Sequence, residues 1–213
     1  INGADEVSGA GVTYFVAKAL SDENVKMAPI AVVGALGDLQ DRSDGRSLHG
    51  LDDLIVKDGV ENGLLKVEED LLFYGRSYKP LHVALASTTN PFIVGISGNE
   101  AHAYSLLTSI GIKVKEDDRW RVLSELSEDE KKALYNGIMR HLASLGLPPS
   151  LAKELIGKVY ELTKEEPWTH LRDAREFATL LNACGRMDRA SLGIGACLDI
   201  KEDKQKALQS RKL

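Results

Sequence analysis

A chain of 213 residues has room for one large or two small domains, each with its own core. The formal charge of -5 excludes a protein that coats nucleic acid non-specifically, a task that needs many lysines and arginines against phosphates, but leaves room for a local basic groove. The two cysteines, Cys184 and Cys197, have no zinc-type spacing and make neither a disulfide framework nor a structural zinc; the reducing cytoplasm is the expected compartment.

No apolar run reaches the roughly 18 residues of a membrane span, and no signal-peptide pattern is present. The first residue is Ile1 rather than Met, so the chain is expected to be a piece of a longer protein.

Ser8 is placed to cap a helix through GAGVTYFVAKAL, where Val12, Phe15, Val16 and Ala19 recur at helical spacing. Gly9 and Gly11 at its start admit either a phosphate near the backbone or a close-packed neighbour, and no GxGxxG or Walker pattern follows to favour the phosphate. After a short acidic loop, Pro29 suits the first turn of a second helix. The apolar run Ala28 to Leu36 then delivers Asp38 and Asp41 to its polar end. Three residues apart, the two carboxylates are expected on one side of a helical turn. That arrangement suits a divalent cation, though acidic residues just after a buried segment are more often a solvated helix end.

The following stretch is polar and punctuated by glycine. QDRSDG is not a calcium loop, because Gln40 and Arg42 stand where oxygen ligands are needed. His49 is a ligand, a base or an exposed loop residue. Leu54 to Val56 fit a short helix and LLKVEEDLLFYG alternates like a strand. From Arg76 to Asn99 the chain reads as a connection punctuated by Pro80, Pro91, Gly95 and Gly98, with HVALAST compatible with helix or strand.

Three helices are predicted next. Asn99 opens EAHAYSLLTSIG, closed by Gly111; Ser127 and Glu130 make a capping box for EDEKKALYNGIMRHLASLG; Pro148 and Pro149 start SLAKELIGKVYELT. Ala103, Leu106, Leu107 and Ile110, then Leu134, Ile138 and Leu142, then Leu151, Leu155 and Val159 fall on single faces, defining a small helical module. Trp120, in the loop between, is a half-buried packing residue or a partner anchor.

The last segment opens with a helix in PWTHLRDAREFATLLNACG, with Leu171, Phe177, Leu180 and Leu181 as its buried stripe and Gly185 as its stop. LGIGACLDI has strand length, and KEDKQKALQSRKL begins another helix. Residues 170–213 carry nine Lys and Arg against six Asp and Glu. Arg172, Arg175, Arg186 and Arg189 form a basic strip that faces phosphates or simply solvent.

Seven phrases together, SGAGVTYFVAKAL, APIAVVGALGDLQD, FYGRSYKPL, PFIVGISGNEA, DRWRVLSELSEDEK, LIGKVYEL and LRDAREFATLLNACGRM, spread in order from residue 8 to residue 187, resemble the archaeal branch of the DHH phosphoesterases. These are RecJ-like single-stranded-DNA exonucleases that associate with the replication factor GINS. The resemblance implies an α/β fold: the C-terminal part of a DHH catalytic domain over 1–66, a connecting region over 67–97, a helical insertion over 98–166 and the beginning of the companion α/β domain over 167–213. It also implies a centre of two manganese or magnesium ions that activates a water at the scissile phosphate. GALGD resembles the family's fourth signature segment, whose aspartate maps to Asp38, and Asp41 is expected to support it from outside the ligand set.

The DxD segment, the later lone aspartate and the Asp-His-His triplet of such enzymes are not in these 213 residues, nor is the phosphate-gripping segment rich in glycine and histidine. The chain alone is therefore expected to be nearly inactive. Three functions follow from the resemblance. The first is a 5'-to-3' exonuclease on single-stranded DNA or RNA, acting in replication or repair with GINS. The second is a non-cutting scaffold, like the eukaryotic helicase subunit of the same ancestry, that docks GINS and the replicative helicase. The third is a phosphodiesterase of small oligonucleotides. Exposed apolar residues on the outer faces of the helical module would favour docking over a lid.

Overall fold

The computed structural model describes Gly3 and residues 6–42, 45–199 and 201–210. In chain order these form α1 (Gly9–Leu20), α2 (Ala28–Gly37), α3 (Gly50–Glu61), β1 (Leu65–Leu71), α4 (Leu81–Ser87) and α5 (Glu100–Ser109). There follow β2 (Lys115–Glu116), β3 (Arg119–Trp120), α6 (Glu128–Ser144), β4 (Ile156–Leu162), α7 (Ala174–Arg186), α8 (Ala190–Cys197) and α9 (Lys201–Ser210). The protein is mixed α/β, with β1 beside β4 and β2 antiparallel to β3. It divides into two compact units, Ile1–Glu68 with Val159–Leu213, and Glu69–Lys158.

The first unit is built around α2. Ala28, Ala31, Val32, Val33, Ala35 and Leu36 are all buried, as expected of a helix that is apolar on every side. Pro29 stands in its first turn, where the missing N–H costs nothing. A Cβ on Gly34 would lie 2.4 Å from the Cβ of Ala10, so α1 can approach this closely only over a glycine. Tyr14, Ile55, Phe177 and Leu180 close the same core.

Ser8 caps α1 by accepting the Gly11 N–H. The inward residues of α1 are Gly11 and Tyr14, whereas Val12 and Val16 are exposed. The reason is polar. Tyr14 Oη donates to Asp58 at 2.8 Å and Lys18 Nζ reaches the same carboxylate at 2.7 Å, which turns that face of α1 toward α3.

The second unit packs α4, α5 and α6 around Leu107, Leu123, Leu134, Ile138 and Leu142. Its starts were legible in the sequence. Asn99 accepts from His102 N at 3.0 Å. In the Ser127 capping box Glu130 N donates to Ser127 Oγ at 3.2 Å and Ser127 N to Glu130 Oε2 at 2.9 Å. Gly111 and Gly146 take left-handed φ values of 81° and 72° just past the ends of α5 and α6, a conformation costly for a residue with a Cβ.

Four expectations are corrected. The prolines at 148 and 149 do not start a long helix; a 3-10 helix spans Pro149–Leu155, and Ile156–Leu162 is the strand β4, whose burial largely alternates. Leu151, Leu155 and Val159 fit a helical period, but IGKVYEL also carries the β-branched and aromatic residues of a half-buried strand. LGIGACLDI is not a strand, since Ala190–Cys197 is α8. Gly185 is not the stop of α7, which runs to Arg186, and the left-handed residue after it is Asp188, φ 56°. Finally, α2 ends at Gly37 and Leu39 takes φ 61°, so Asp38 and Asp41 do not share a helical turn.

Candidate functional site

Asp38 stands at the C-terminal cap of α2, its N–H bonded to Gly34 O at 3.0 Å and its side chain exposed. Its Oδ2 accepts one hydrogen bond, from Gln40 Nε2 at 3.1 Å, and the same amide donates to Gly3 O at 3.1 Å. A second carboxylate, Asp52, feels its charge. Asp52 is only 1% exposed and accepts Ser8 N at 3.0 Å and Ser8 Oγ at 3.2 Å. Burial pushes the Asp52 carboxyl up, the Ser8 hydrogen bonds oppose that rise, and the Asp38 charge adds to it.

Asp41 is elsewhere. It is buried, and its Oδ2 is held by Arg175 Nη1. The other arm of the guanidinium, Nη2, donates to Arg46 O at 3.0 Å, and the guanidinium carbon lies 5.9 Å from the centroid of the Tyr160 ring. Tyr160 Oη accepts the Leu48 N–H at 2.9 Å. Burial pushes the phenol up, against the Leu48 hydrogen bond and the Arg175 charge. The two aspartates read together in the sequence thus have different surroundings, one exposed and one sealed beneath an arginine.

The four arginines also separate into two kinds. Arg172 is half-buried; its Nη1 donates to Thr163 O at 2.9 Å and Glu165 O at 3.1 Å, and its Nη2 lies 3.5 Å from Glu161. Arg175 is occupied by Asp41 and Arg46. Arg186 and Arg189 are exposed, at the end of α7 and the start of α8. His49 is exposed at the start of α3, its Nε2 3.2 Å from Ser47 Oγ.

Among the described residues no group of three or more His, Cys, Asp or Glu is arranged to hold a metal ion. Asp38 offers one exposed carboxylate, while the oxygens of Asp52 are engaged by Ser8 and that of Asp41 by Arg175. These residues do not by themselves fit a two-cation centre, which needs several oxygen donors around each ion.

Sequence reasoning missed Asp52, Tyr160 and the Asp41–Arg175 pair, whose members lie 134 residues apart. It also missed a buried cluster in the second unit. There Asp70 lies between Arg76 and Lys131, with Lys131 Nζ at 2.8 Å, beside a cavity of about 280 Å³ lined by Lys131, Lys132, Tyr135 and Asn136 among others. Despite its burial, Lys131 is pushed up by Asp70 and Glu128.

Residues 73–156 match the family described as the DHH-CID domain. The match falls within the second compact unit, Glu69–Lys158, and supports kinship with DHH proteins. Along nearly its whole length the chain is similar to an uncharacterized protein of Methanocaldococcus jannaschii, 28% identical over 202 residues. The alignment takes in 95% of this chain and 40% of that relative. No helix among the described residues is long and apolar enough to cross a membrane.

Proposed function

We propose that the chain works within a DHH-type phosphoesterase, and more narrowly within a metal-dependent 5'-to-3' exonuclease on single-stranded DNA or RNA that acts in replication or repair with GINS, in the cytoplasm. The DHH-CID match over residues 73–156 carries this reading. Asp38 supplies one oxygen donor to a manganese or magnesium pair whose other ligands lie outside these residues. Its exposed position at the end of a rigid apolar helix supports that role, since a helix terminus places a side chain more precisely than a free loop does. Arg186 and Arg189, both exposed, are the remaining candidates for phosphate contacts.

The test is manganese-dependent hydrolysis of a 5'-labelled single-stranded oligonucleotide by a longer protein that contains these residues. Asp38→Ala is expected to lower turnover by about a hundredfold or more, since even outer-shell partners of a metal cost 10- to 100-fold. Mononucleotide release by the 213-residue chain alone would overturn the claim that its ligand set is completed from elsewhere.

A second reading, docking of GINS or the replicative helicase, has its own support. Phe92, Tyr104 and Leu145 of the second unit are 57%, 41% and 48% exposed, apolar side chains open to a partner. Retention of GINS by the chain, with loss in Phe92→Asp, would favour it.

A further inference from the structure

We infer that the cavity of the second unit is a binding site for a nucleoside 5'-monophosphate, with α6 holding the phosphate and the apolar ends of β1 and β4 receiving the base. The inference goes beyond the reading of Asp38 and does not rest on it. At about 280 Å³ the cavity stands just below the roughly 300–1,000 Å³ of ordinary small-molecule sites, room for one nucleotide rather than a strand. One wall comes from α6. Lys131 and Tyr135 are four residues apart, as are Lys132 and Asn136, so the two pairs form adjoining strips along the same helix. The apolar part comes from Leu71 at the end of β1 and Ile156 at the start of β4.

Charge decides what can enter. Asp70 is paired with two cations, Arg76 and Lys131, both largely removed from solvent, so this cluster carries one more positive charge than negative. Two further carboxylates line the cavity, Glu69 and Glu128, but their side chains are 65% and 78% exposed and water screens them. Donors are also left over. Lys131 has three N–H groups, and among the described residues its partners are Asp70 at 2.8 Å and Glu128 at 3.3 Å. Lys132 has the exposed Asp129 at 4.0 Å. Neither the Tyr135 hydroxyl nor the Asn136 side-chain amide has a hydrogen-bond partner among the described residues.

A phosphate in the cavity meets two ammonium groups, a phenol and a carboxamide, and displaces Glu128, the longer of the two contacts of Lys131. Beside it, the Tyr135 ring with Leu71 and Ile156 gives a planar base an apolar surface that a hydrated sugar would not use.

The test is titration of the 213-residue chain with adenosine 5'-monophosphate, followed by amide NMR shifts, against adenosine and ribose 5-phosphate. The nucleotide is expected to shift the amides of Leu71, Lys131, Lys132 and Tyr135 with a dissociation constant below about 1 mM. Adenosine lacks the phosphate and ribose 5-phosphate lacks the base, and each should bind at least about tenfold more weakly. Lys132→Ala should weaken the nucleotide about fivefold and Tyr135→Leu about tenfold. Glu128→Gln should tighten it about threefold, because it removes the carboxylate that competes for Lys131; a purely structural role for the cluster predicts no such gain. Lys132 and Glu128 are exposed, so both variants keep the fold. A short single strand with and without its 5'-phosphate separates the two sources of the ligand: phosphate-dependent shifts of the same amides make a strand end the ligand, and their absence leaves the free nucleotide.

A nucleotide that shifts none of these amides at about 10 mM would overturn the inference. Equally decisive against it would be adenosine or ribose 5-phosphate binding as tightly as the nucleotide, or Lys132→Ala and Glu128→Gln both leaving the affinity unchanged.

Discussion

In the second unit Asp70 is closed off between Arg76 and Lys131, all three within one compact body, whereas in the first Asp38 stands exposed at the end of α2 with the amide of Gln40 on it. A parallel contrast separates single helix faces of the two units. The first unit leaves Val12, Val16 and Leu20 of α1 at 48%, 58% and 82% exposure, spaced four apart along one helix face, and Ile194 of α8 and Leu198 just past its end at 61% and 66%. The second unit buries the Leu134, Ile138 and Leu142 face of α6 completely. A sealed carboxylate with its own cations serves the fold, because an ion removed from water is tolerable only when paired. An exposed carboxylate at a helix end contributes little to stability and remains accessible to a ligand.

The largest effect that would break this contrast is expected at Arg76, among the largest side chains fully removed from solvent. Arg76→Met leaves Asp70 facing only Lys131 and the Leu71 N–H at 2.8 Å, and should cost about 3–5 kcal/mol, the usual penalty for stranding one partner of a buried pair. Replacing Asp70 and Arg76 together, Asp70→Leu with Arg76→Met, should recover part of the loss, since a buried pair exchanged for apolar groups is often neutral while Lys131 keeps Glu128 at 3.3 Å. The chain has two tryptophans, Trp120 in the second unit and Trp168 in the first. Urea unfolding followed by Trp120 fluorescence in a Trp168→Phe background reads the second unit. A double variant no more stable than the single one would show that Arg76 acts through packing rather than charge.

A smaller effect sharpens the contrast at the start of α6. Arg121 grips Glu130 through two bonds of 2.7 and 2.8 Å, and that pairing, aided by Ser127, holds the Glu130 carboxyl at about 2. A depressed carboxyl contributes stability that is complete above its ordinary value near 4.5 and is lost as pH falls from there toward 2. Glu130→Gln should flatten the acid side of the second unit's stability profile between those values. Ser127→Ala, which removes the cap but leaves the arginine pair, should lower stability by about 1 kcal/mol near neutral pH. A profile in Glu130→Gln that still falls steeply over that interval would move the acid sensitivity to another carboxylate.

The parts legible in the sequence were those set by neighbours a few residues apart. Ser8, Asn99 and the Ser127–Glu130 box mark helix starts because a short polar side chain satisfies N–H groups two or three residues on. Pro29 did the same for α2. The mixed α/β class came from the resemblance to DHH phosphoesterases, not from these local signals. What escaped was decided at a distance or by a tie in local preference. IGKVYEL carries a helical period and a strand composition together, and its place as β4 resolves the tie. The eight residues of α8 are as short as a buried strand, so periodicity could not separate the two. For the candidate site, the place of Asp38 at the end of an apolar run was readable, but its separation from Asp41 was not. That depended on one left-handed residue, Leu39, and on an arginine 134 residues from Asp41.

The smallest expected effect tests the outward face of α1. Val16 is 58% exposed and valine and serine have similar helix propensities, so Val16→Ser should change stability by no more than about 0.5 kcal/mol, read from the Trp168 transition in a Trp120→Phe background. Its value lies in the sign of a departure. If serine destabilises the first unit by more than that, valine must be covered in solution by something other than the rest of this chain. Self-association would then appear as a melting temperature that rises with protein concentration, by mass action, and as a Val16→Ser penalty that disappears on dilution. If the penalty is absent at every concentration, α1 presents Val12, Val16 and Leu20 to water in the isolated chain, and the first unit is stable without that face being covered.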